Sequence, residues 1–410
     1  MKTDFSIAQL ANPEISHAQE IIGKCVHCGF CTAHCPTYQV LGNELDSPRG
    51  RIQLFKDVLE QDRPATAAER VHLDRCLTCG ACNSVCPSGV DYLSLAEIGR
   101  AHIEGKGGRP VRDRLERKLL AGTMRWLSVF RIGLRLAPLG KWVAGVLPAR
   151  ARRMLAVSTP APARAAVRPG WHRTDGAPHG KVGLFQSCVQ PALRPDIDAA
   201  AVRVLNRLGF DVFVGQAGHC CGALDRHLGH EQAANKSEQQ AARVFDGVDL
   251  DAITYTVSGC GPTLMGHEGF PAPVRDLASL LAEHLPKKST AIPDLKVAVQ
   301  APCTQQHGAK LPNVMVDALG AMGFEIVPLV DPHLCCGAAG TYTVLQPALS
   351  DELGARKAKA LSASGADIAV SANIGCLTHL ERFETPPMLH WIELADWALG
   401  GPVPQQLSGD

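Results

Sequence analysis

The sequence has no long apolar run, few aromatic residues and no excess of charge of either sign. The longest apolar region, from Trp126 to Pro148, is broken by Arg131, Pro138 and Lys141. It therefore falls short of the ~20 uninterrupted apolar residues that a membrane-spanning helix needs. Phe, Trp and Tyr make up only 5% of the chain, and the formal net charge is +1. A near-neutral chain has no global field to attract nucleic acid, so we expect no nucleic-acid partner.

The length and the apolar content predict a folded protein of two or three domains. This number follows from 410 residues at roughly 150 residues per domain. A hydrophobic fraction of 46% is enough to bury cores, which excludes a disordered or fibrous chain. The first ten residues, MKTDFSIAQL, contain Asp4 where a secretory signal would be apolar. We therefore expect a cytoplasmic protein.

Cysteine is abundant, and its 16 residues fall into two blocks. Eight lie between Cys25 and Cys86, and eight lie between Cys188 and Cys376. Because disulfides do not persist in the cytosol, this many thiols indicate metal binding or redox chemistry. Between the blocks, residues 157–180 carry four prolines among small and polar residues. This composition is typical of an extended linker.

The first block consists of two copies of the spacing C-x2-C-x2-C-x3-C-P, which begin at Cys25 and at Cys76. The spacing is typical of ferredoxin domains with two [4Fe–4S] clusters, in which the fourth cysteine of each run ligates the other cluster. We therefore predict crossed ligand sets: Cys25, Cys28, Cys31 and Cys86 for cluster 1, and Cys76, Cys79, Cys82 and Cys35 for cluster 2. Gly29 and Gly80 allow the backbone to approach the clusters closely. Structural zinc is the alternative for C-x2-C pairs, but it uses two separated pairs of ligands.

Helical patterns surround these cysteines. In residues 47–61, Ser47 and Pro48 have the positions of an N-cap and a first helical residue, and Ile52, Phe55 and Val58 lie largely on one side. We predict an α-helical ferredoxin-type domain over residues 1–108, followed by a basic helical segment at 109–156.

The second block repeats itself. Cys188 precedes Cys220 by 32 positions, and Cys303 precedes Cys335 by the same number. Each set begins after an apolar run, contains a Cys-Cys-Gly triplet and ends after another apolar run, with helical stretches between. This alternation predicts two α/β units with small parallel sheets, over residues 181–290 and 291–410, whose cysteines lie in loops at strand ends. We expect the two units to face each other around a pseudo-twofold axis.

Each of these units carries four thiols that are candidate metal or cluster ligands. The first set is Cys188, Cys220, Cys221 and Cys260, and the second is Cys303, Cys335, Cys336 and Cys376. The alternative is that they are small buried apolar residues. The occurrence of eight cysteines in equivalent places twice favours a ligand or redox role.

These features together resemble the iron–sulfur subunits of glycolate oxidase, a family related to the C subunit of anaerobic glycerol-3-phosphate dehydrogenase and to heterodisulfide reductase. The resemblance covers nearly the whole chain. Besides the two cysteine runs, it rests on the segments SPRGRI (47–52), HLDRCLTCGAC (72–82), CPSGVDY (86–92), SGCG (258–261), HLCCGAAGTY (333–342) and ANIGC-x2-H (372–379). It implies an electron-transfer subunit with no catalytic residue of its own. FAD-containing partner subunits would oxidise glycolate to glyoxylate, and this chain would pass the electrons toward a membrane quinone or another acceptor.

Several alternatives to this function stay open at the level of sequence. No G-x-G-x-x-G or Walker A motif follows a strand, so we expect FAD only in partner chains. The alternatives are a subunit of a related glycerol-3-phosphate or lactate dehydrogenase, an autonomous thiol or disulfide reductase, and a protein in which the metals only stabilise the fold. Heterodisulfide-reductase-like repeats end in Cys-x2-Cys, whereas Thr263 and His379 occupy the last position here. This departure counts against disulfide reduction and leaves His379 as a candidate ligand.

Positive charge is concentrated in residues 109–153, which contain twelve Lys or Arg and two acids. On a predicted helix Arg131 and Arg135 share one side, and Leu127, Phe130 and Leu134 form an apolar side. Such a segment suits a peripheral position on the inner face of the cytoplasmic membrane, or a partner subunit. The alternative is a solvated helix pair that bridges two domains.

Overall fold

The N-terminal part of the protein is helical, and the C-terminal part contains two sheets of mainly parallel strands with helices around them. The computed structural model describes residues 1–142, 144–158, 167–286 and 294–407. This architecture confirms the predicted fold class. Within those ranges no helix is long and apolar enough to span a bilayer.

Eight helices build the ferredoxin-type domain. They are α1 (Ile7–Leu10), α2 (Pro13–Lys24), α3 (Phe30–His34), α4 (Pro36–Leu41), α5 (Pro48–Glu60), α6 (Ala67–Asp74), α7 (Ala81–Ser84) and α8 (Tyr92–Lys106), with a 3₁₀ turn at Glu44–Asp46. Helix α5 begins at Pro48 as predicted, because the N–H of Gly50 donates to Ser47 Oγ at 3.0 Å. Its buried face, which includes Phe55, packs against α2 and α8. The cysteine runs lie in and around α3 and α7, at one end of this small core.

Three helices follow and bridge the rest of the molecule: α9 (Val111–Arg125), α10 (Leu127–Trp142) and α11 (Ala149–Val157), with a 3₁₀ turn at Ala144–Val146. Arginines of this segment form ion pairs with all three neighbouring parts: Arg109 with Asp74 at 2.8 Å, Arg125 with Asp225 at 2.6 Å and Arg153 with Asp351 at 2.5 Å. Asp74 belongs to the ferredoxin-type domain, and the other two aspartates belong to the two α/β units. These contacts favour the bridging interpretation of the basic segment.

The first α/β unit contains a five-stranded sheet. Its strands are β1 (Gly170–His172), β2 (Gly180–Phe185), β3 (Phe210–Val214), β4 (Ala252–Tyr255) and β5 (Val274–Asp276), in the order β1-β3-β2-β4-β5. All neighbours are parallel except β1 and β3. The helices are α12 (Gln190–Leu193), α13 (Pro195–Arg207), α14 (Ala223–His227), α15 (Glu231–Arg243), α16 (Gly261–Gly266) and α17 (Leu277–Leu281), with a 3₁₀ turn at Ser258–Cys260.

Strand β1 lies inside the stretch 157–180 that the composition predicts to be a linker. Its Trp171 pairs with Phe213 of β3, and the two rings pack edge to face with centroids 5.4 Å apart. This part of the stretch is therefore an edge strand of the first sheet, because antiparallel pairing and an aromatic contact hold it there. Residues 159–166 of the stretch lie outside the described residues.

The second α/β unit contains a four-stranded parallel sheet. Its strands are β6 (Lys296–Val299), β7 (Glu325–Val327), β8 (Ile368–Ser371) and β9 (Met388–His390), in the order β7-β6-β8-β9. Its helices are α18 (Val314–Met322), α19 (Tyr342–Leu345), α20 (Pro347–Ser362), α21 (Ile374–Leu380) and α22 (Trp391–Ala398). A π-helical turn spans Thr304–Gly308, and a 3₁₀ turn spans Gln405–Leu407. The boundary between the units, predicted at 290/291, lies outside the described residues.

The two units pack on each other reciprocally. Helix α13 contacts α22, and α17 contacts α18. Helices α13 and α18 follow the inner strands β2 and β6, whereas α17 and α22 follow the edge strands β5 and β9. This exchange of equivalent contacts is what a twofold relation requires. One continuous apolar core runs through both units, and the N–H of Ser258 donates to the carbonyl of Ala372 at 2.9 Å across the junction.

The contact between α5 and α8 generates a prediction about stability. A Cβ added to Gly99 would lie 2.1 Å from the Phe55 ring, so Gly99→Ala forces a shift in a packed core. We expect this variant to lose ~1–3 kcal/mol, seen as a thermal midpoint several degrees lower in anaerobic unfolding of the cluster-loaded protein. Gly105→Ala in the same helix is the matched control, because no atom lies within 4 Å of the added methyl group. It should be neutral or stabilising by up to ~1 kcal/mol; equal midpoints for the two variants would contradict the packing.

Candidate metal centres

The eight N-terminal cysteines surround two adjoining cavities. The first cavity is lined by Cys25, Cys28, Cys31, Cys82 and Cys86, and the second by Cys35, Cys76, Cys79 and Cys82. Cys82 lines both cavities, and each run has its first three cysteines at one cavity and its fourth at the other. The fourth cysteine of the first run, Cys35, is followed by Pro36, which is the first residue of α4, so the chain leaves the loop in a new direction at this point.

The two cysteine loops share an unusual backbone conformation. His27 and Thr78, each directly before the second cysteine, have φ of 57° and 51°, and the following Gly29 and Gly80 have φ of 88° and 76°. Residues other than glycine rarely adopt positive φ. Such turns direct successive N–H groups into one hollow, a feature of many iron–sulfur sites, and the N–H of Thr78 donates to Cys76 Sγ at 3.4 Å. Sequence reasoning identified the glycines but did not predict this backbone conformation at His27 and Thr78.

A buried arginine lies beside the second cavity. Arg51 is only 1% exposed, its Nη1 lies 3.9 Å from Cys35 Sγ, and its Nη2 lies 3.4 Å from Oδ1 of the buried Asp46. Burial raises the pKa of the Cys76 thiol, but the positive charges of Arg51 and Arg100 outweigh it, so this pKa is lowered. The guanidinium therefore favours the thiolate form that metal ligation requires. The segment SPRGRI contains Arg51, but its sequence does not show that the side chain is buried.

The other thiols of the second cavity need a different source of positive charge. Burial raises the pKa of Cys79 and of Cys82 well above the usual value, and neighbouring thiols raise both further. A bound iron–sulfur cluster would supply the missing charge. A single zinc ion with bonds of ~2.3 Å would bring its sulfurs about 3.8 Å apart, and in the described ranges no group of three or more potential ligands converges in that way. A cavity lined by spaced thiols fits the larger iron–sulfur cluster better.

Each α/β unit gathers its four thiols at the carboxyl ends of three adjacent parallel strands. In the first unit Cys188 follows β2, Cys220 and Cys221 follow β3, and Cys260 follows β4. In the second unit Cys303 follows β6, Cys335 and Cys336 follow β7, and Cys376 follows β8. Because β2 and β6 are flanked by the other two strands, the loops converge at the edge where parallel sheets bind ligands. We call these sites the first and the second Cys-Cys-Gly pocket.

The thiols of these pockets lie close to one another. Cys336 Sγ lies 3.1 Å from Cys376 Sγ, and all the cysteines of the chain are free. The hydrogen bond to Cys220, followed by burial, raises the pKa of Cys188 well above its usual value, while Cys220, which accepts that hydrogen bond, has its pKa well lowered. Gly337, at φ 87°, provides the sharp turn; a Cβ there would lie 2.5 Å from the Ser350 carbonyl oxygen.

Comparison with known proteins agrees with this geometry. The model of a 4Fe-4S dicluster domain matches residues 21–90, and the model of a cysteine-rich domain matches residues 182–265 and 297–381. The glycolate oxidase iron-sulfur subunit of Escherichia coli K12 is 38% identical over 97% of this chain and 99% of its own length. The chain belongs to the family of glycolate oxidase iron–sulfur subunits. It is thus an oxidoreductase subunit with an iron–sulfur domain.

Other relatives are more distant. The probable glycolate oxidase iron-sulfur subunit of Bacillus subtilis 168 is 29% identical over 97% of this chain and 98% of its own length. Lactate utilization protein A of Shouchella clausii is 26% identical over 48% of this chain and 89% of its own length. The resemblance inferred from the motifs is therefore confirmed at the level of the family.

In this member of the glycolate oxidase family, the second cavity adjoins the second Cys-Cys-Gly pocket. Leu77, between the first two cysteines of the second run, packs in one buried cluster with Cys335 and Tyr342. Tyr342 Oη donates to the carbonyl of Arg75 at 2.8 Å, and Ser84 Oγ lies 2.8 Å from Nδ1 of His307. The thiols are close enough that Cys303 contributes to raising the pKa of Cys79, which burial raises first. Sequence alone did not reveal this junction, because its two sides lie more than 200 residues apart.

Buried charge distinguishes the two Cys-Cys-Gly pockets of this family member. Lys357 is 1% exposed, and its Nζ donates to the carbonyl oxygens of Asp331 at 3.3 Å and Pro332 at 3.0 Å. Burial lowers the pKa of Lys357, and the thiols of Cys336 and Cys335 are the largest opposing influences. Among the described residues no carboxylate pairs with this ammonium, so the thiols are its natural counter-charge.

Within the described ranges, the first pocket has no lysine at the position equivalent to Lys357. The backbone carbonyl nearest Gly337 in the second unit is that of Ser350, and the one nearest the equivalent Gly222 in the first unit is that of Ala234. Aligning Ser350 with Ala234 places Ala241 at the position of Lys357. Near Cys220 the first pocket instead has the carboxylate of Asp225, which opposes ionisation of that thiol. The thiols are thus repeated in the two units, but the charged side chains around them differ: Lys357 in the second unit, and Asp225 paired with Arg125 in the first.

The second pocket does not use His379 as the sequence suggested. His379 is buried, its Nε2 lies 3.1 Å from the carbonyl oxygen of Ser350, and its Nδ1 lies 3.2 Å from Nη1 of Arg382. Burial lowers the pKa of this imidazole to about 4, so the ring is neutral and both nitrogens already have partners. The ligand role considered for His379 is therefore not supported.

The shared cavities generate a prediction that tests the crossed ligand sets. Cys28 and Cys86 line the first cavity, whereas Cys35 lines the second. We expect Cys28→Ser/Cys86→Ser to remove one cluster and keep roughly half of the iron and sulfide. We expect Cys28→Ser/Cys35→Ser to damage both clusters and lose most of it, since each cluster needs four thiolates. Iron and sulfide analysis with electron paramagnetic resonance of anaerobically prepared protein makes the comparison. Equal iron in the two double variants would argue against crossed sets.

Proposed function

We propose that this chain relays electrons from FAD-containing subunits, which oxidise glycolate to glyoxylate, to an acceptor such as a membrane quinone. The oxidation releases two electrons and two protons to the flavin, and the acceptor takes up both electrons at the other end. The single observation that carries the proposal is the row of three adjoining thiol sites: the first cavity, the second cavity and the second Cys-Cys-Gly pocket. The relatives named as glycolate oxidase subunits support the choice of substrate.

We infer two [4Fe–4S] clusters, which supply one-electron redox chemistry when they are bound. Cys25, Cys28, Cys31 and Cys86 would hold cluster 1, and Cys76, Cys79, Cys82 and Cys35 would hold cluster 2. Arg51 contributes a fixed positive charge at the second cavity. Its position next to Cys35 and Cys76 stabilises thiolates.

The two cavities differ in exposure, which suggests the direction of electron flow. Cys28 is exposed at the first cavity, and the neighbouring side chains of Val26 and Phe30 are 69% and 64% exposed. Exposed apolar residues around a thiol suit contact with a partner subunit. The second cavity instead lies against the second α/β unit, where Cys79 and Cys335 are close. We therefore infer entry at cluster 1 and exit from cluster 2.

We further infer that the second Cys-Cys-Gly pocket holds an additional metal or cluster that receives these electrons. Its four thiols lie at the ends of three adjacent strands, Cys336 Sγ lies 3.1 Å from Cys376 Sγ, and the ammonium of Lys357 supplies buried positive charge near them. A pocket of four thiolates carries excess negative charge even around a metal ion, and a nearby cation reduces that cost. The first pocket lacks the cation, so we infer a higher reduction potential in the second pocket than in the first.

The proposed function is tested by reducing the assembled complex with its own substrate. The chain is purified anaerobically together with its FAD subunits, and glycolate is added without any other reductant. We expect bleaching of the cluster absorption, a paramagnetic signal, and glyoxylate formed at one molecule per two electrons stored. D-Lactate and glycerol 3-phosphate should be weaker reductants. Reduction by dithionite but not by glycolate would rule out this substrate, and clusters that dithionite cannot reduce would indicate a structural role.

Removal of the buried ammonium tests the role assigned to the second pocket. If the second pocket holds a redox centre, the protein gives a third paramagnetic signal besides those of clusters 1 and 2. We expect Lys357→Met to lower the midpoint potential of this third signal by about 60 mV or more, which is a tenfold change in its one-electron equilibrium. A buried positive charge stabilises the reduced, more negative state, so its loss favours the oxidised state. Potentiometric titration followed by electron paramagnetic resonance measures the shift. Lys357→Arg should restore most of the potential, and Lys359→Met, at an exposed position of the same helix, should change nothing. If the wild-type protein gives no third paramagnetic signal, the second Cys-Cys-Gly pocket does not hold a redox centre.

A further inference from the structure

One face of α10 leaves a row of large apolar side chains uncovered. We call Val129, Ile132, Leu136 and Leu139 the outer stripe; each is between 48% and 68% exposed. At ~100° per residue, these four positions fall within about 80° of the helix circumference. The opposite side of the helix is already packed, since Leu134 and Ala137 are buried. The outer stripe is therefore not needed to hold α10 in place.

The outer stripe belongs to a wider concentration of exposed apolar surface. In the described part of the chain, eleven of the twenty large apolar side chains with high exposure fall between residues 111 and 154. Trp126 and Trp142 stand at the two ends of α10 and are 65% and 91% exposed. Scattered exposed apolar residues need no explanation, but a continuous row of this kind marks a surface that another body covers.

The charge around the outer stripe indicates what covers it. No Asp or Glu occurs from residue 117 to residue 174. Lys118 and Arg135 are exposed in this region, whereas Arg125 is committed to Asp225 and Arg131 donates to the carbonyl of Pro191 at 3.4 Å. A helix with an apolar face, basic neighbours, no acids and tryptophans at its ends has the composition of an interfacial membrane helix. A protein partner would have to supply both an apolar groove and acidic groups along the helix, whereas an anionic bilayer supplies both everywhere.

We propose that the outer stripe docks this protein on the surface of an anionic lipid bilayer, with α10 lying in the interfacial plane. The apolar row enters the boundary between headgroups and acyl chains, and the two tryptophans lie at headgroup depth. The surface differs from the one expected from sequence, where Leu127, Phe130 and Leu134 formed the apolar side. Leu134 is buried, and Leu127 packs against Gly218 of the first α/β unit. The proposal does not depend on the redox partners, because it uses no residue of the thiol sites.

The test measures binding of the cluster-loaded chain to lipid vesicles by co-flotation. Vesicles of phosphatidylcholine alone are compared with vesicles that contain phosphatidylglycerol at roughly a third of the lipid. The variant Ile132→Gln/Leu139→Gln removes two members of the outer stripe. The matched control is Ile7→Gln/Val330→Gln, which removes two aliphatic side chains that are at least as exposed elsewhere, 91% and 70%. Iron content and the thermal midpoint verify that both variants are folded.

We expect wild-type protein and the control to bind the anionic vesicles, and the stripe variant to bind at least tenfold more weakly. Binding should fall strongly on neutral vesicles, and brominated lipid should quench the fluorescence of wild-type protein but less that of Trp142→Phe. Three outcomes overturn the proposal. They are no binding of wild-type protein to anionic vesicles, equal binding of the stripe variant, and loss of copurifying FAD subunits from the stripe variant while its vesicle binding is unchanged. The last outcome would assign the outer stripe to a protein partner.

Discussion

Burial of sulfur charge is the constraint on which the rest of this structure depends. Burial raises the pKa of Cys31, Cys79 and Cys82 in the N-terminal cavities, and hydrogen bonds between thiols, followed by burial, raise the pKa of Cys221 and Cys336 in the Cys-Cys-Gly pockets. Thiolates in such places are stable only with positive charge beside them. The protein supplies part of it through Arg51 and Lys357, and in the ferredoxin-type domain iron–sulfur clusters would supply the remainder. Because unfolded chain holds no preformed site, cluster binding and folding of the ferredoxin-type domain are coupled. The small apolar core around Phe55 agrees with this dependence.

The repeated α/β unit places four thiols in equivalent positions twice but surrounds them with different charged side chains. In both units the thiols follow the same three adjacent strands, and reciprocal helix contacts place the units on one shared core. The repeat kept the sulfur positions because the strand ends fix them. It did not keep the charges: Lys357 corresponds to Ala241, and Asp225 corresponds to Gly340. In the described part of the chain, the α/β thiols that pack in one buried cluster with Leu77 of the second cluster loop are Cys335 and Cys303, both of the second unit. The two units therefore differ both in the charged side chains around their thiols and in their contact with the second cluster loop.

What could be predicted from sequence follows from how local each feature is. The spacing of Cys25, Cys28 and Cys31 is a property of one loop, so it identifies an iron–sulfur domain without any tertiary information. The repeated Cys-Cys-Gly pattern predicts parallel strands for the same reason. Arg51 and Lys357 escape sequence reasoning because their importance arises only from burial next to thiols distant in the chain. The edge strand β1 was likewise hidden, since three residues in a proline-rich stretch become a strand only when β3 offers its edge.

The basic segment shows most clearly why composition is an incomplete guide. Its positive charge suggested a free basic surface, but its arginines reach aspartates 35, 100 and 198 positions away. A surface ion pair contributes little on its own, whereas pairs with buried partners such as Asp225 hold their elements firmly in place. The segment consequently has two separate faces. Its inner face joins the ferredoxin-type domain to both α/β units and so keeps the thiol sites at fixed separations, which one-electron transfer requires. The outer stripe is left free by the same packing, because the ion pairs and Leu134 already anchor the helices from within.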